Sequence, residues 1–333
     1  MSDIPTNPLQ ELLTSPEEEK KDEEEFVDTT ICETCGGDVE EGVEICPLCG
    51  GLTELQTIAS LGKRLPIGVE LDGKLEKGFD IKPLGWGLER EIGREWAKRR
   101  KTLDIGKYIS TILAHTVLKI GPHDVTALSM NRRFQVFAEM FAGDVFYMYA
   151  YLRLISTGKE MSLRGLTCYE CNHSFSFVAD VSTLGVVCFE TIQEMEREIK
   201  LQDGFEMGGG HRDTFILRPP KWRMMSDPLA QGSLANDAEL FGAMLMHSVV
   251  EVKGLNRGAA ITERELDKMT KPDLEICKEG MELLIGGPRW FVDSACPKCK
   301  EEFFYEIDWS YQNFFARSST SRRRKKRSKK RQR

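Results

Sequence analysis

Eight of the ten cysteines fall in four Cys-x-x-Cys pairs: Cys32/Cys35, Cys46/Cys49, Cys168/Cys171 and Cys296/Cys299. Two thiolates held two residues apart in a tight turn are pre-positioned for adjacent corners of a tetrahedron, and two such turns complete the four sulfur ligands that structural Zn²⁺ prefers. Cysteines in a reducing compartment seldom become disulfides, so zinc is the economical explanation of the pattern. The first two pairs are ten residues apart, and Gly36 and Gly50 directly follow their second cysteines, where a knuckle often needs a positive φ. They predict a zinc ribbon over residues 30–51, a module too small for its own core, which metal binding can fold outright. Cys168/Cys171 and Cys296/Cys299 lie 128 residues apart, and each offers half a coordination shell. If the segments around them pack about a pseudo-two-fold axis, matching turns face each other and share one ion. The expected complement is therefore two structural Zn²⁺ ions per chain.

Other chemistry finds little support. A redox Cys-x-x-Cys opens a helix within a βαβ unit, whereas here the alternating segments HSFSFVAD and EEFFYEID follow the body pairs and read as strands. Cys188 and Cys277 have no partner spacing and are simplest as buried apolar residues. His173 is too close to Cys171 to share its metal, and His115 and His247, on apolar helical stretches, read as structural. No paired carboxylates, Ser/His/Asp set, HExxH or phosphate loop has supporting context, and His211-Arg212-Asp213 lacks the downstream partners of a kinase catalytic loop. No catalytic residue is assigned, and the expectation is a protein that is not an enzyme.

The elements that must position the body pairs repeat in order, predicting an α+β fold of two tandem, mainly helical units. A strand-like FDIKPLGW from Phe79, a helix ISTILAHTVLKIG around His115, a further amphipathic helix RRFQVFAEMFAGDVFYMYAYLRLIS and a close in LTCYECNHSFSFVAD make the first unit, residues 65–185. TFILRPPKW from Thr214, LFGAMLMHSVVEV around His247, KPDLEICKEGMELLIG and SACPKCKEEFFYEID make the second, residues 213–310. Residues 186–212, with the charged, helical-looking TIQEMEREIKLQ and Gly208, Gly209 and Gly210, read as a linker. Residues 1–29 read as a disordered acidic segment, since the run from Ser15 to Asp28 has too little apolar surface to offset the entropy of ordering it.

Composition, at 41% hydrophobic and 30% charged over 333 residues, allows a core or two of ordinary size. No secretory signal or membrane-length apolar run is visible, predicting a protein that stays where it is made and has no membrane span. The formal charge of −7 is segregated: Ser321–Arg333 carries ten Lys or Arg and no acid, leaving −17 for the preceding residues. Residues 317–333 read as a disordered basic tail whose Arg322, Arg323, Arg324, Lys325, Lys326, Arg327, Lys329, Lys330, Arg331 and Arg333 could meet nucleic acid or an acidic protein surface, weakening steeply with salt.

The body, from Leu65 to Asp308, resembles the baseplate proteins and tail-assembly chaperones of contractile-tailed bacteriophages. The resemblance rests on the Leu65-Pro66-x-Gly68 entry, the helix YISTILAHTVLKI, the aromatic FYMYAYLRLISTGKE, and the closes CYECNHSFSFVAD and CPKCKEEFFYEID. The amino-terminal ribbon, the second copy and the basic end depart from the family pattern. The resemblance implies a structural or assembly component that binds other tail or baseplate proteins, in the host cytoplasm during assembly and in the virion tail. A zinc-ribbon regulator that binds nucleic acid through its basic tail is the competing expectation.

Overall fold

A computed structural model describes residues 29–31, 38–40, 56–71, 74–98, 105–226, 237–255, 261–282 and 284–307, and shows a mixed α+β body. At its start, β1 (Thr29–Ile31) pairs antiparallel with β2 (Asp38–Glu40), bracketing Cys32 and Cys35 in the sequence. The four ribbon cysteines, the acidic residues before β1 and the basic residues of the tail lie outside the described residues.

From residue 56 the chain forms β3 (Gln56–Thr57), α1 (Ile58–Leu61), β4 (Arg64–Leu71), β5 (Lys74–Ile81), α2 (Trp86–Lys98), α3 (Ile105–Thr116), β6 (Val117–Ile120) and β7 (His123–Asp124). The strands β4-β5-β6-β7 form one antiparallel sheet. The stretch read as one helix around His115 changes at Thr116 into β6 without a loop, because its β-branched end pairs with β5, Phe79 opposite Ile120 and Ile81 opposite Val117. Next come α4 (Met130–Glu139) and α5 (Ala142–Thr157), expected as one helix but broken at Met140 and Phe141. There the backbone turns outward to another partner: Trp222 N donates to Met140 O, Ala142 N donates to Pro220 O, and Phe141 bridges Lys221. The first series closes with the hairpin of β8 (Glu160–Thr167) and β9 (Ser174–Asp180).

After β10 (Gly185–Val187) comes the main difference from expectation. Arg197–Met207, read as part of a helical linker, is an 11-residue strand, β11. It pairs with β12 (Gly210–Leu217), so Gly208 and Gly209 form a hairpin turn rather than a spacer. Glu, Lys, Met and Gln favour helices, but the alternation that buries Ile199 and Leu201 has the strand period of two, and pairing overrides propensity.

α6 (Asp237–Ser248) then runs directly into β13 (Val249–Val252), which pairs with β12, Phe215 opposite Val252 and Leu217 opposite Val249. α7 (Glu263–Leu266), α8 (Lys271–Glu282), β14 (Gly287–Pro288) and the hairpin of β15 (Phe291–Ala295) and β16 (Glu302–Glu306) finish the described chain. Both series thus place hairpin, helix, strand, helix and hairpin in the same order. In both, the strand after the helix pairs with the second hairpin strand and breaks register at the same point, Asp80/Ile81 and Ile216/Leu217.

The series are interlocked. β10 lies between β3 and β14 in one sheet. One apolar cluster gathers Ile109, Phe137, Tyr147 and Leu152 of the first series with Ile307 of the second. The other gathers Phe215, Leu245 and Cys277 of the second with Ile67 and Phe141 of the first. Each such large apolar side chain contributes about 1.5–3 kcal/mol on burial. At the tightest approach α5 meets the backbone before β14: a Cβ at Gly143 would sit 2.1 Å from Gly286 O.

Candidate metal centre

The two Cys-x-x-Cys turns form the tips of the β8–β9 and β15–β16 hairpins, as the alternating segments after them predicted. Each turn closes in the same way. Asn172 N donates to Cys168 O (2.8 Å) and Cys168 N to His173 O (3.0 Å); Lys300 N donates to Cys296 O (2.9 Å) and Cys296 N to Glu301 O (2.8 Å). The residue after each second cysteine adopts positive φ, 54° at Asn172 and 66° at Lys300. That turn aims both sulfurs of a pair to one side.

The hairpins meet tip to tip. Cys168 Sγ lies 3.6 Å from Cys299 Sγ, and Cys171 Sγ lies 3.6 Å from Cys296 Sγ. The first cysteine of each turn thus faces the second cysteine of the other. All four sulfurs lie within 4.8 Å of one another. Four sulfurs at about 2.3 Å from a tetrahedral zinc are separated by about 3.8 Å, so the set fits a closed structural site. Phe175 and Phe303, each four residues past a second cysteine, meet edge to face at 5.5 Å.

The charge pattern also suits a cation. Desolvation raises the Cys296 thiol, but the backbone N–H groups of Cys299 and Lys298 and the sulfurs of Cys299 and Cys171 outweigh it and hold it at about 6. At Cys299 the Glu301 N–H pulls the thiol down, but desolvation and the sulfurs of Cys171, Cys296 and Cys168 push it up to about 12. One thiolate thus discourages its neighbours from ionising, and a dication is what lets all four do so. Cys168 and Cys296 are buried, Cys171 is half-buried and Cys299 is exposed. These four cysteines could hold a metal ion such as zinc.

The other residues singled out in the sequence lie elsewhere. Cys277 is buried in α8, its thiol pushed up to about 12 by burial and then by Asp273. Cys188 is half-buried, 3.9 Å from Gln56 Oε1. His173 stacks on Phe175. His115 and His247 occupy the last turns of α3 and α6, both half-buried. His211, Arg212 and Asp213 are consecutive residues of β12, with Arg212 Nε donating to Met207 O. No helix among the described residues is long and apolar enough to cross a membrane.

Two residues that sequence reasoning passed over organise the frame behind the hairpins. Asp144, third residue of α5, is fully buried and accepts from Ile67 N (2.8 Å) on Oδ1 and Gly68 N (2.9 Å) on Oδ2. Asp273, third residue of α8, is also fully buried and accepts from Gln202 N (2.7 Å) and Asp203 N (3.1 Å) on Oδ1 and Gly204 N (3.0 Å) on Oδ2. Each carboxylate fills a register break in the first strand of its series, where backbone N–H groups would otherwise be buried unpaired. Gly68 (φ 99°) and Gly204 (φ 66°) supply the left-handed conformation that turns those groups toward the acid. A lone Asp in the apolar run AGDVFYMYAY was the available signal, since an acid inside a buried helix must have a partner.

Compared with known proteins, the chain matches no family model, no curated relative and no solved structure.

Proposed function

We propose that this chain is a protein-binding scaffold, made of two copies of one unit and stapled by a zinc ion that the copies share, which serves the assembly of a contractile phage tail baseplate. The observation that carries the architecture is the crossed sulfur pairing: exchanging the two hairpins turns Cys168–Cys299 into Cys296–Cys171, both 3.6 Å. Equivalent positions touching across a site are what a pseudo-two-fold axis produces. The Phe175–Phe303 contact, the matching register breaks and the paired aspartates support the same symmetry. Zinc on Cys168, Cys171, Cys296 and Cys299 closes its shell with protein sulfur and leaves no open position for substrate, which favours a structural role over a catalytic one. A second zinc belongs to the ribbon of Cys32, Cys35, Cys46 and Cys49.

The placement in a baseplate rests on the sequence resemblance, and its partners are other tail or baseplate proteins, met in the host cytoplasm and carried into the virion tail. The test is affinity capture of the tagged chain from phage-infected cells, followed by sedimentation of tail intermediates. Co-migration with baseplate or hub proteins supports the assignment, and a chain that never leaves the free-protein fraction sinks it. The ten basic residues of Ser321–Arg333 favour a second reading, a nucleic-acid-binding regulator. It requires nucleic-acid affinity that falls steeply with salt and disappears when those residues are deleted.

A further inference from the structure

We infer that Cys299 is a peroxide-sensitive modification site, at which the zinc cross-link between the two hairpins is exchanged for a disulfide to Cys168. This rests on the shared-zinc reading above and adds its regulation.

Two independent observations carry it. Among the described cysteines Cys299 is the exposed one, while Cys168 and Cys296 are buried and Cys171 is half-buried, so an oxidant arriving from solvent meets Cys299 first. The Cys168 sulfur lies 3.6 Å from it, on the opposite hairpin and shielded from direct attack. A reactive sulfur at the surface beside a protected one within reach is the arrangement of a sensing and a resolving cysteine. Cys188 and Cys277 cannot substitute: neither is among the residues whose ligand atoms gather at this site.

The chemistry balances with a hydroperoxide as oxidant. Cys299, which a shared zinc would hold as a thiolate, attacks one peroxide oxygen, the O–O bond breaks, and hydroxide leaves and takes a proton from solvent, giving a sulfenic acid and water. The Cys168 thiolate then attacks the Cys299 sulfur, the S–O bond breaks as the S–S bond forms, and a second hydroxide leaves as water after protonation. The two sulfurs lose two electrons and hydrogen peroxide gains them. Cys171 and Cys296 alone would offer a bound zinc only half a shell, so these two sulfurs would no longer retain it. Because Cys168 and Cys299 belong to different hairpins, the new bond holds the tips together after the metal has gone. A disulfide within one turn, Cys168–Cys171 or Cys296–Cys299, would instead release them.

The experiment treats the zinc-loaded full chain with hydrogen peroxide, follows zinc release with a chromophoric indicator, and maps disulfides by mass spectrometry of the unreduced digest. The expected result is loss of one zinc per chain from the body, in step with a peptide joining Cys168 to Cys299. Both changes should reverse with dithiothreitol and added zinc. Disulfides confined within one turn, Cys299 driven to sulfinic acid without a cross-link, or four unmodified cysteines with zinc retained would each overturn the proposal. Zinc content measured before peroxide separates the two levels. A body without zinc removes the shared-zinc reading, and the cross-link map of that sample still decides which sulfurs react with each other.

Discussion

Asp144 and Asp273 stand third in their helices and bridge to the first strand of their series, yet their surroundings differ. Asp144 accepts two backbone N–H groups and Asp273 three. Gly143 precedes Asp144 and touches the backbone of Gly286 and Gly287, whereas Pro272 precedes Asp273. α5 is 16 residues long and buries most of its surface, including Arg153, whose guanidinium donates to Gly158 O and Glu160 O. α8 is 12 residues long and keeps several of its residues exposed. The same clasp thus serves a central helix in one half and a peripheral helix in the other. The clasp answers a local need, the unpaired N–H groups of a bulged strand, while helix length and small residues answer to the position of each half in the whole.

Breaking the four-cysteine cluster should have the largest effect, because two hairpins distant in sequence each contribute two of its sulfurs. Cys296→Ser should lower zinc by one ion per chain and depress the melting temperature of the body, whereas Cys32→Ser should remove one ion and leave the body transition in place. Elemental analysis paired with calorimetry distinguishes these outcomes, and equal damage from both substitutions would contradict two separate sites.

Next in size is Gly143→Ala. The added carbon would collide with the Gly286 carbonyl, which is backbone and cannot rotate away, so α5 and the approach to β14 must separate. A cost of about 3 kcal/mol in denaturant unfolding is expected, against under about 1 kcal/mol for Gly242→Ala, where the nearest atom is the flexible end of Leu266 at 3.4 Å.

The clasps themselves come third. Asn keeps one accepting oxygen but turns an amide N–H₂ toward backbone donors, so Asp273→Asn should cost about 2–3 kcal/mol and Asp144→Asn about 1–2 kcal/mol. The order follows the number of backbone N–H groups each side chain holds, three at Asp273 against two at Asp144. Burial pushes the Asp144 carboxyl up to about 7, against the pull of the Ile67 and Gly68 N–H groups and Lys77. The folded state therefore binds its proton more tightly than the unfolded chain does. Stability from this group is fully present below about pH 4 and is lost as pH rises toward and through 7. Between pH 5.5 and 8 the wild-type protein should lose stability relative to Asp144→Asn; parallel pH profiles in urea titrations would contradict this.

The smallest effect compares the two turns. Lys300 and Asn172 share a left-handed conformation that Asn tolerates better than Lys. Lys300→Gly should gain up to about 1 kcal/mol and Asn172→Gly should change stability by less than about 0.5 kcal/mol, both read from zinc-loaded thermal melts.

Much of the body was legible before any coordinates. The Cys-x-x-Cys spacing, the strands that follow each pair and the order of apolar segments come from short-range rules, because a turn, an alternation or a helical period is written in consecutive residues. β11 was misread because Glu, Lys, Met and Gln advertise a helix, although Ile199 and Leu201 carried the period of a strand. The break between α4 and α5 left no local signal at all, since its cause is pairing with Pro220, Lys221 and Trp222, some eighty residues away.

The sequence by itself determined which cysteines come in pairs and that a strand follows each body pair. Only the tertiary structure decided that Cys168 faces Cys299 rather than its own turn partner alone, that Asp144 and Asp273 close bulged strands, and that Gly143 lets the halves meet backbone to backbone. The reason is physical. A turn is set by neighbours in the chain, whereas a half-filled metal shell, a buried unpaired N–H and a close approach are completed by whatever residue folding brings from far away.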